Sequence, residues 1–168
     1  ERRGRSLRVL GIARRLRGEL LRALELDPGH LDAGIGLVRF YREAPSIAGG
    51  SASKALAQAR ELAKRHPLHG HLALADIAAD AKDWATMEAE SRAAVAADAT
   101  SVEAGLALAQ ALTQQDKAGE AVAAAQRVLA LDEGNPFAAY VIGRTGAVTG
   151  QQLDLAERSL RELLARTD

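Results

Sequence analysis

The chain has 168 residues, with 22 basic and 22 acidic side chains, four histidines and no cysteine, so its formal net charge is zero. Hydrophobic residues make up 48% of it but aromatics only 3%, and 37 residues are alanine, the best helix former; apolar burial must therefore come from helices that approach closely through small side chains. This composition excludes disulfides, thiolate zinc sites and cysteine nucleophiles, offers no apolar run of the ~18 residues a membrane-spanning helix needs, and points to an all-α chain that is one compact domain or one short repeat array.

The first element is basic. Residues 1–22 carry eight arginines against Glu1 and Glu19, and the rest of the chain carries the compensating acidic excess. An arginine-rich helix can meet nucleic acid, lipid or an acidic partner. Here no aromatic stacking platform accompanies the arginines, and Leu7, Leu10, Leu20, Leu21 and Leu24 form an opposite apolar face. The arginines are read as the solvated side of an amphipathic helix, with no nucleic acid partner and no membrane insertion. Gly4 and Leu7 are read as the end of an earlier leading helix.

A second helical stretch passes through Leu37-Val38 and Phe40-Tyr41 into "REAPSIAGGSASKA", Arg42 to Ala55. Its glycines, serines and Lys54 raise the question of an anion cradle at a helix start. The Gly-x-x-x-x-Gly-Lys-[Ser/Thr] spacing after a strand is missing, so the expectation is a turn with unusual glycine dihedrals, capped by Ser51 or Ser53; an extended loop at a groove edge is the third reading. Next comes "KRHPLHGH", which holds His66, His69 and His71. Metal binding needs converging neutral imidazoles, and Pro67 interrupts any helix through His66, so these residues read as a hinge with solvated imidazoles and not as a metal site. Asp76 with Asp80, and Glu88 with Arg92, sit one helical turn apart; such pairs read as solvated faces that contribute little. Ser51 and Ser53 have no base at hand and no nucleophile-elbow motif exists. No cofactor and no catalysis are expected.

The clearest unit is "VEAGLALAQALTQQDKAGEAVAAAQRVLALDEG". A first helix is expected from about Ser101 to Gln114, with Thr100 as N-cap and Glu103 completing a capping box. A break at Gln115–Lys117 and a second helix from about Gly119 to Leu131 follow, with Ala121, Ala125 and Val128 on one face. Lining up the ends of the apolar helices gives Pro28, Pro67, Ala99 and Glu133, at separations of 39, 32 and 34 residues.

This recurrence resembles the tetratricopeptide repeat, a 34-residue helix–turn–helix module. The resemblance rests on Leu20, Ala23 and Pro28; on Leu37-Val38, Tyr41, Ala55, Ala59, Leu62 and Pro67; on Leu74-Ala75, Lys82-Asp83-Trp84 and Ala94; on Leu108-Ala109, Leu112, Ala121 and Ala125; and on Ile142-Gly143, Gly150, Ala156, Leu160 and Leu163. Met87 and Ser91 depart from the pattern's small and aromatic positions. It implies a right-handed α-solenoid of four to five units: a partial first repeat at 1–30, a second at 31–69 with a five-residue insert, and further repeats at 70–101, 102–135 and 136–168. The Ala-Pro-x-Ile-x-Gly-Gly insert resembles one in exported bacterial repeat proteins, which implies a bacterial, periplasmic or exported location with the cytoplasm as the alternative. No signal peptide is visible, and a chain that opens at Glu1 is expected to lack upstream sequence.

The resemblance further implies a concave groove lined by the leading helices, at Arg39, Arg42, Glu43, His69, Leu72, Asp76, Asp80, Leu106, Gln110, Gln114, Tyr140 and Arg144, with Phe137 beside Tyr140. A peptide or protein segment would be read there by polar contacts. The Lys and Asn clamp for C-terminal carboxylates is missing, because those positions hold Ile35, Arg39, Leu72, Asp76, Leu106 and Gln110. The expected role is a non-catalytic protein-interaction scaffold. An accessory or assembly-factor segment of a larger envelope protein or enzyme is the first alternative. The second is a structural unit that self-associates through its terminal helices, with Leu160, Leu163 and Leu164 exposed.

Overall fold

A computed structural model describes residues 2–150 together with 154, 157, 158, 161, 164 and 165, with side chains for these except 2–9 and 149. Among the described residues the chain is all helix and connection, with no strand. The order is α1 (Arg2–Leu26), α2 (Leu31–Glu43), a 3-10 turn (Ser46–Ala48), α3 (Ala52–Arg65), α4 (Pro67–Asp80), α5 (Trp84–Ala97), α6 (Val102–Gln114), α7 (Ala118–Leu131) and α8 (Pro136–Thr149). Residues 2–26 form one helix, so no leading helix ends at Gly4 or Leu7. The expected Ala156, Leu160 and Leu163 lie outside the described residues. Two compact units result, Glu1–Ile77 and Ala78–Asp168.

In the first unit α1 lies on α2 and α2 on α3. Val38, Ala59, Leu62 and Leu74 form its core, with Leu31, Leu56, Ala63, Ala73 and Ile77 against it. The close approach expected of small residues is most extreme at Gly70, where a Cβ would lie 2.1 Å from the Cα of Ala63. The link between α3 and α4 is a single residue, His66, because Pro67 takes the first position of α4, a position at which its missing N–H costs nothing. His69 and His71 therefore belong to α4 itself. His30 caps α2, its Nδ1 accepting from Ala33 N–H at 3.3 Å.

The insert folds into a compact turn. Gly49 adopts φ +107°, and a Cβ on Gly50 would collide with the Ala44 carbonyl oxygen, so both glycines are required by the backbone. The 3-10 turn rests on α1, with the Arg17 guanidinium against Gly49. It is a closed turn on α1, not the extended loop that was one of its sequence readings.

In the second unit α5 lies on α6, α6 on α7, and α8 on both α6 and α7. The core gathers Leu108, Leu112, Val122, Val128, Val141 and Ile142 with fully buried alanines between them. Left-handed residues follow the ends of three helices, Lys82 at φ 57°, Asp116 at φ 55° and Gly150 at φ 67°; their positions recur at intervals of 34. The cap of α6 is Ser101, whose Oγ accepts from Ala104 N–H at 3.2 Å, and not Thr100. Asp98 claims Thr100 first, accepting from its N–H at 2.8 Å and its hydroxyl at 2.7 Å, so Glu103 completes no capping box.

Ser91 is fully buried in α5 and its hydroxyl has no hydrogen-bond partner. A buried polar group left unpaired costs about 1–3 kcal/mol. Ser91→Ala removes it from a helix interior where alanine is also preferred, so the variant should be about 1 kcal/mol more stable. Thermal denaturation checks this; an unchanged or lower midpoint would show that the hydroxyl is satisfied in solution.

Candidate functional site

The residues that the sequence assigns to a binding groove fall on two faces, one in each unit. On the first, α2 presents Arg39, Arg42 and Glu43, and α4 presents His69, Leu72 and Asp76. Arg39 pairs along its own helix with Glu43 at 3.1 Å. Arg42 reaches across to α4, where its Nη1 donates to Asp76 Oδ2 at 2.6 Å. The guanidinium is only 22% exposed while the carboxylate is 62% exposed, so Asp76 stands proud of the surface as the accessible member of the pair. His69 is half-buried two turns earlier on α4, and Leu72 is 9% exposed, a floor rather than a contact. Asp80 lies one turn beyond Asp76 and is exposed.

On the second face, α6 presents Gln110 and Gln114, one turn apart. Phe137, Tyr140, Arg144 and Val148 follow at spacings of three and four along α8, a single helical stripe. Phe137 and Tyr140 have ring centroids 6.5 Å apart and planes tilted by 40°; they remain 37% and 49% exposed, and Val148 is 78% exposed. Where α8 meets the α6–α7 connection, Thr113, Asp116, Arg144 and Val148 line a hollow of about 250 Å³. Thr113 and Val148 were not singled out in the sequence, although continuing the four-residue spacing from Tyr140 through Arg144 reaches Val148.

Other candidates resolve differently. The imidazoles of the histidine cluster are not simply solvated. His66 is half-buried and its Nε2 donates to the Gly29 carbonyl at 2.7 Å, tying the α3–α4 link to the α1–α2 turn. Among the described residues no three His, Asp or Glu side chains converge as a metal site would require. Three backbone donors of the glycine-serine turn are spent: Gly49 N–H goes to Ser46 O and Gly50 N–H to Pro45 O within the turn, and Ser51 N–H to Tyr41 O on α2. Ser51 Oγ caps α3 by accepting from Lys54 N–H at 3.4 Å.

Glu88 and Arg92 are more than a solvated pair. The Glu88 side chain is 13% exposed and receives Lys117 Nζ at 2.6 Å, Gln115 Nε2 at 2.8 Å and Arg92 Nε at 2.9 Å. Arg92 continues to Glu120 at 2.5 Å. The Lys117 hydrogen bond, with those from Arg92 and Gln115, holds the Glu88 carboxyl down at about 2 against the opposition of burial. This network joins α5 to the α6–α7 connection and to α7, so it shapes the frame that carries the second face. Leu160 and Leu163, expected on a self-associating terminal helix, lie outside the described residues; Leu164 is 66% exposed.

No protein-family model matches the chain, and no curated protein matches it by sequence. Solved structures do match by shape. The protein MamA superposes with a TM-score of 0.72 at 15% identity, over 96% of this chain and 86% of that one. YrrB, titled a TPR protein with an unusual peptide-binding site, gives 0.68 at 18% identity over 96% and 81%. TTC0263, a thermophilic TPR protein of Thermus thermophilus, gives 0.57 at 19% identity over 97% and 96%. The fold is thus the all-α helical-repeat fold of the tetratricopeptide type. Among the described residues no helix is long and apolar enough to cross a membrane.

Proposed function

We propose that this tetratricopeptide-repeat fold serves as a non-catalytic scaffold that captures a peptide or protein segment on the outward faces of its leading helices. The observation that carries the reading is the α8 stripe. Most of the described large apolar side chains of the second unit are buried or half-buried, yet Phe137 and Tyr140 stand in solvent as a tilted pair, next to Arg144 and a hollow that Arg144 lines. Aromatic and arginine side chains are the residue types that dominate binding energy at interfaces. The Asp76 carboxylate and the Arg39–Glu43 pair supply a second, polar set of contacts on α2 and α4. A peptide-binding site in YrrB, which shares the fold, supports the same use here. The insert after Tyr41 supports a bacterial envelope setting for this scaffold.

Selection from a random peptide library tests this. The natural chain should enrich peptides with an apolar anchor, and Tyr140→Ala should weaken the enriched peptides by roughly 30-fold, the factor that ~2 kcal/mol at an interface hot spot represents. Enrichment that is blind to Tyr140 would move the site off α8.

A further inference from the structure

A second concavity lies away from the α8 stripe. Between α5, α6 and α7 the surface opens into an apolar hollow of about 170 Å³, floored by Gly105, Leu108 and Leu112 and walled by Val95, Val128 and Leu131. The resemblance places a large side chain in the first helix ahead of the Leu108-Ala109 pair; this chain has Gly105 there, and Val128 Cγ2 packs to within 2.6 Å of where a Cβ would stand. An enclosed apolar cavity of ~150 Å³ admits a benzene-sized group. The hollow is therefore the size of one bulky side chain, and Leu131 at its edge is left 48% exposed.

The rim is charged. Arg92 and Glu120 neutralise one another at 2.5 Å, whereas Arg127, which also lines the hollow, is exposed and makes no ion pair among the described residues. The rim thus keeps one unspent positive charge. A fitting knob is a branched apolar residue with an acidic residue beside it.

The chain presents such a knob. Leu26, the last residue of α1, is 72% exposed and is followed by exposed Asp27, whose Oδ1 meets only the nearby Gly29 N–H at 2.9 Å. Charge favours the same pairing between copies. The unit that carries Leu26 has 14 basic against 8 acidic side chains, and the unit that carries the hollow has 8 against 14. Two copies with no net charge meet best with the first unit of one against the second unit of the other.

We propose that the hollow is a socket for a second copy of this chain, filled by the copy's Leu26 with its Asp27 against Arg127. This contact is separate from the peptide faces and does not involve Leu160, Leu163 or Leu164. It stands or falls independently of the scaffold reading.

The absence of cysteine makes the test direct. A preparation with Leu26→Cys is mixed with one carrying Ala123→Cys, at the wall of the hollow, under mild oxidation. A cross-linked species of twice the 17.7 kDa chain mass should form, and should not form when Ala81→Cys, also exposed, replaces Ala123→Cys. Sedimentation equilibrium of the natural chain should show a mass that rises with concentration. Leu26→Asp and Arg127→Glu should each raise the dissociation constant by at least about tenfold, equivalent to ~1.4 kcal/mol, with unchanged helicity by circular dichroism. A mass that stays monomeric at every concentration overturns the proposal. So does a dimer that ignores Leu26→Asp, since another surface would then hold it.

Discussion

Gly70→Ala is expected to cost about 3 kcal/mol or more, even though alanine is the better helix former by about 1 kcal/mol. The new Cβ would lie 2.1 Å from the Cα and 2.2 Å from the N of Ala63. Those are backbone atoms of a neighbouring helix reached through a one-residue link, so neither side can yield without moving α4 off α3. Two other helical glycines grade the effect. A Cβ at Gly34 would meet the Leu62 Cδ1 at 2.8 Å and one at Gly105 the Val128 Cγ2 at 2.6 Å. The Leu62 end can shift, whereas Val128 is stiff at χ1 and 1% exposed, so alanine should cost roughly 1 kcal/mol at Gly34 and about 2 kcal/mol at Gly105, within the range of overpacking. Gly11 and Gly18 on α1 have open space around the missing Cβ, and alanine at either should stabilise by about 0.5–1 kcal/mol. Denaturant unfolding of the five variants should follow that order. A Gly70→Ala variant as stable as the natural chain would mean that α3 and α4 do not approach as described.

The second large effect is at Glu88. Replacing it with glutamine removes the charge that Lys117, Arg92 and Gln115 address together. The folded carboxyl sits at about 2, below its ordinary 4.5, so the native state favours the ionised form. Such a group contributes stability that is fully present above the ordinary value and is lost as pH falls from about 4.5 towards 2. One pKa unit is ~1.36 kcal/mol, but Lys117 and Arg92 are 41% and 48% exposed, and solvent screening reduces the effect to about 1–2 kcal/mol. Glu88→Gln should therefore unfold earlier than the natural chain at neutral pH, and the gap should close as both are acidified below pH 4.5. A gap that is constant with pH would assign the loss to shape rather than charge.

Local rules made much of the fold legible. The α6–α7 unit lies within a residue of its expected bounds, because apolar spacing sets the faces and the turn at Gln115–Lys117 is marked by polar residues. The left-handed positions 82, 116 and 150 carry the 34-residue period into the backbone. Competition and distance hid the rest. Thr100 and Ser101 are equally good caps in isolation, and only the Asp98 turn decides between them. His66 meets Gly29, and Arg42 meets Asp76, across more than 30 residues of chain; no local pattern announces either. Glu88 looked like an ordinary surface pair with Arg92 because Lys117 and Gln115 lie a full helix away in sequence. On the candidate faces, residue type and helical spacing placed Tyr140, Arg144, Gln110 and Gln114 outward. The hollow at Thr113 and Val148 required the packing of α8 on the α6–α7 connection, which only the folded chain supplies.

Partner capture is proposed for two faces, one on α2 and α4 and one on α8. Affinity capture with the natural chain and with a triple Arg39→Glu, Asp76→Lys, Arg144→Glu variant, side by side from one bacterial lysate, tests it most directly. All three side chains are exposed, so the variant should keep its helicity, which circular dichroism verifies. At least one protein, other than the chain itself, is expected to be retained by the natural chain and lost by the variant. Equal capture by both would contradict it.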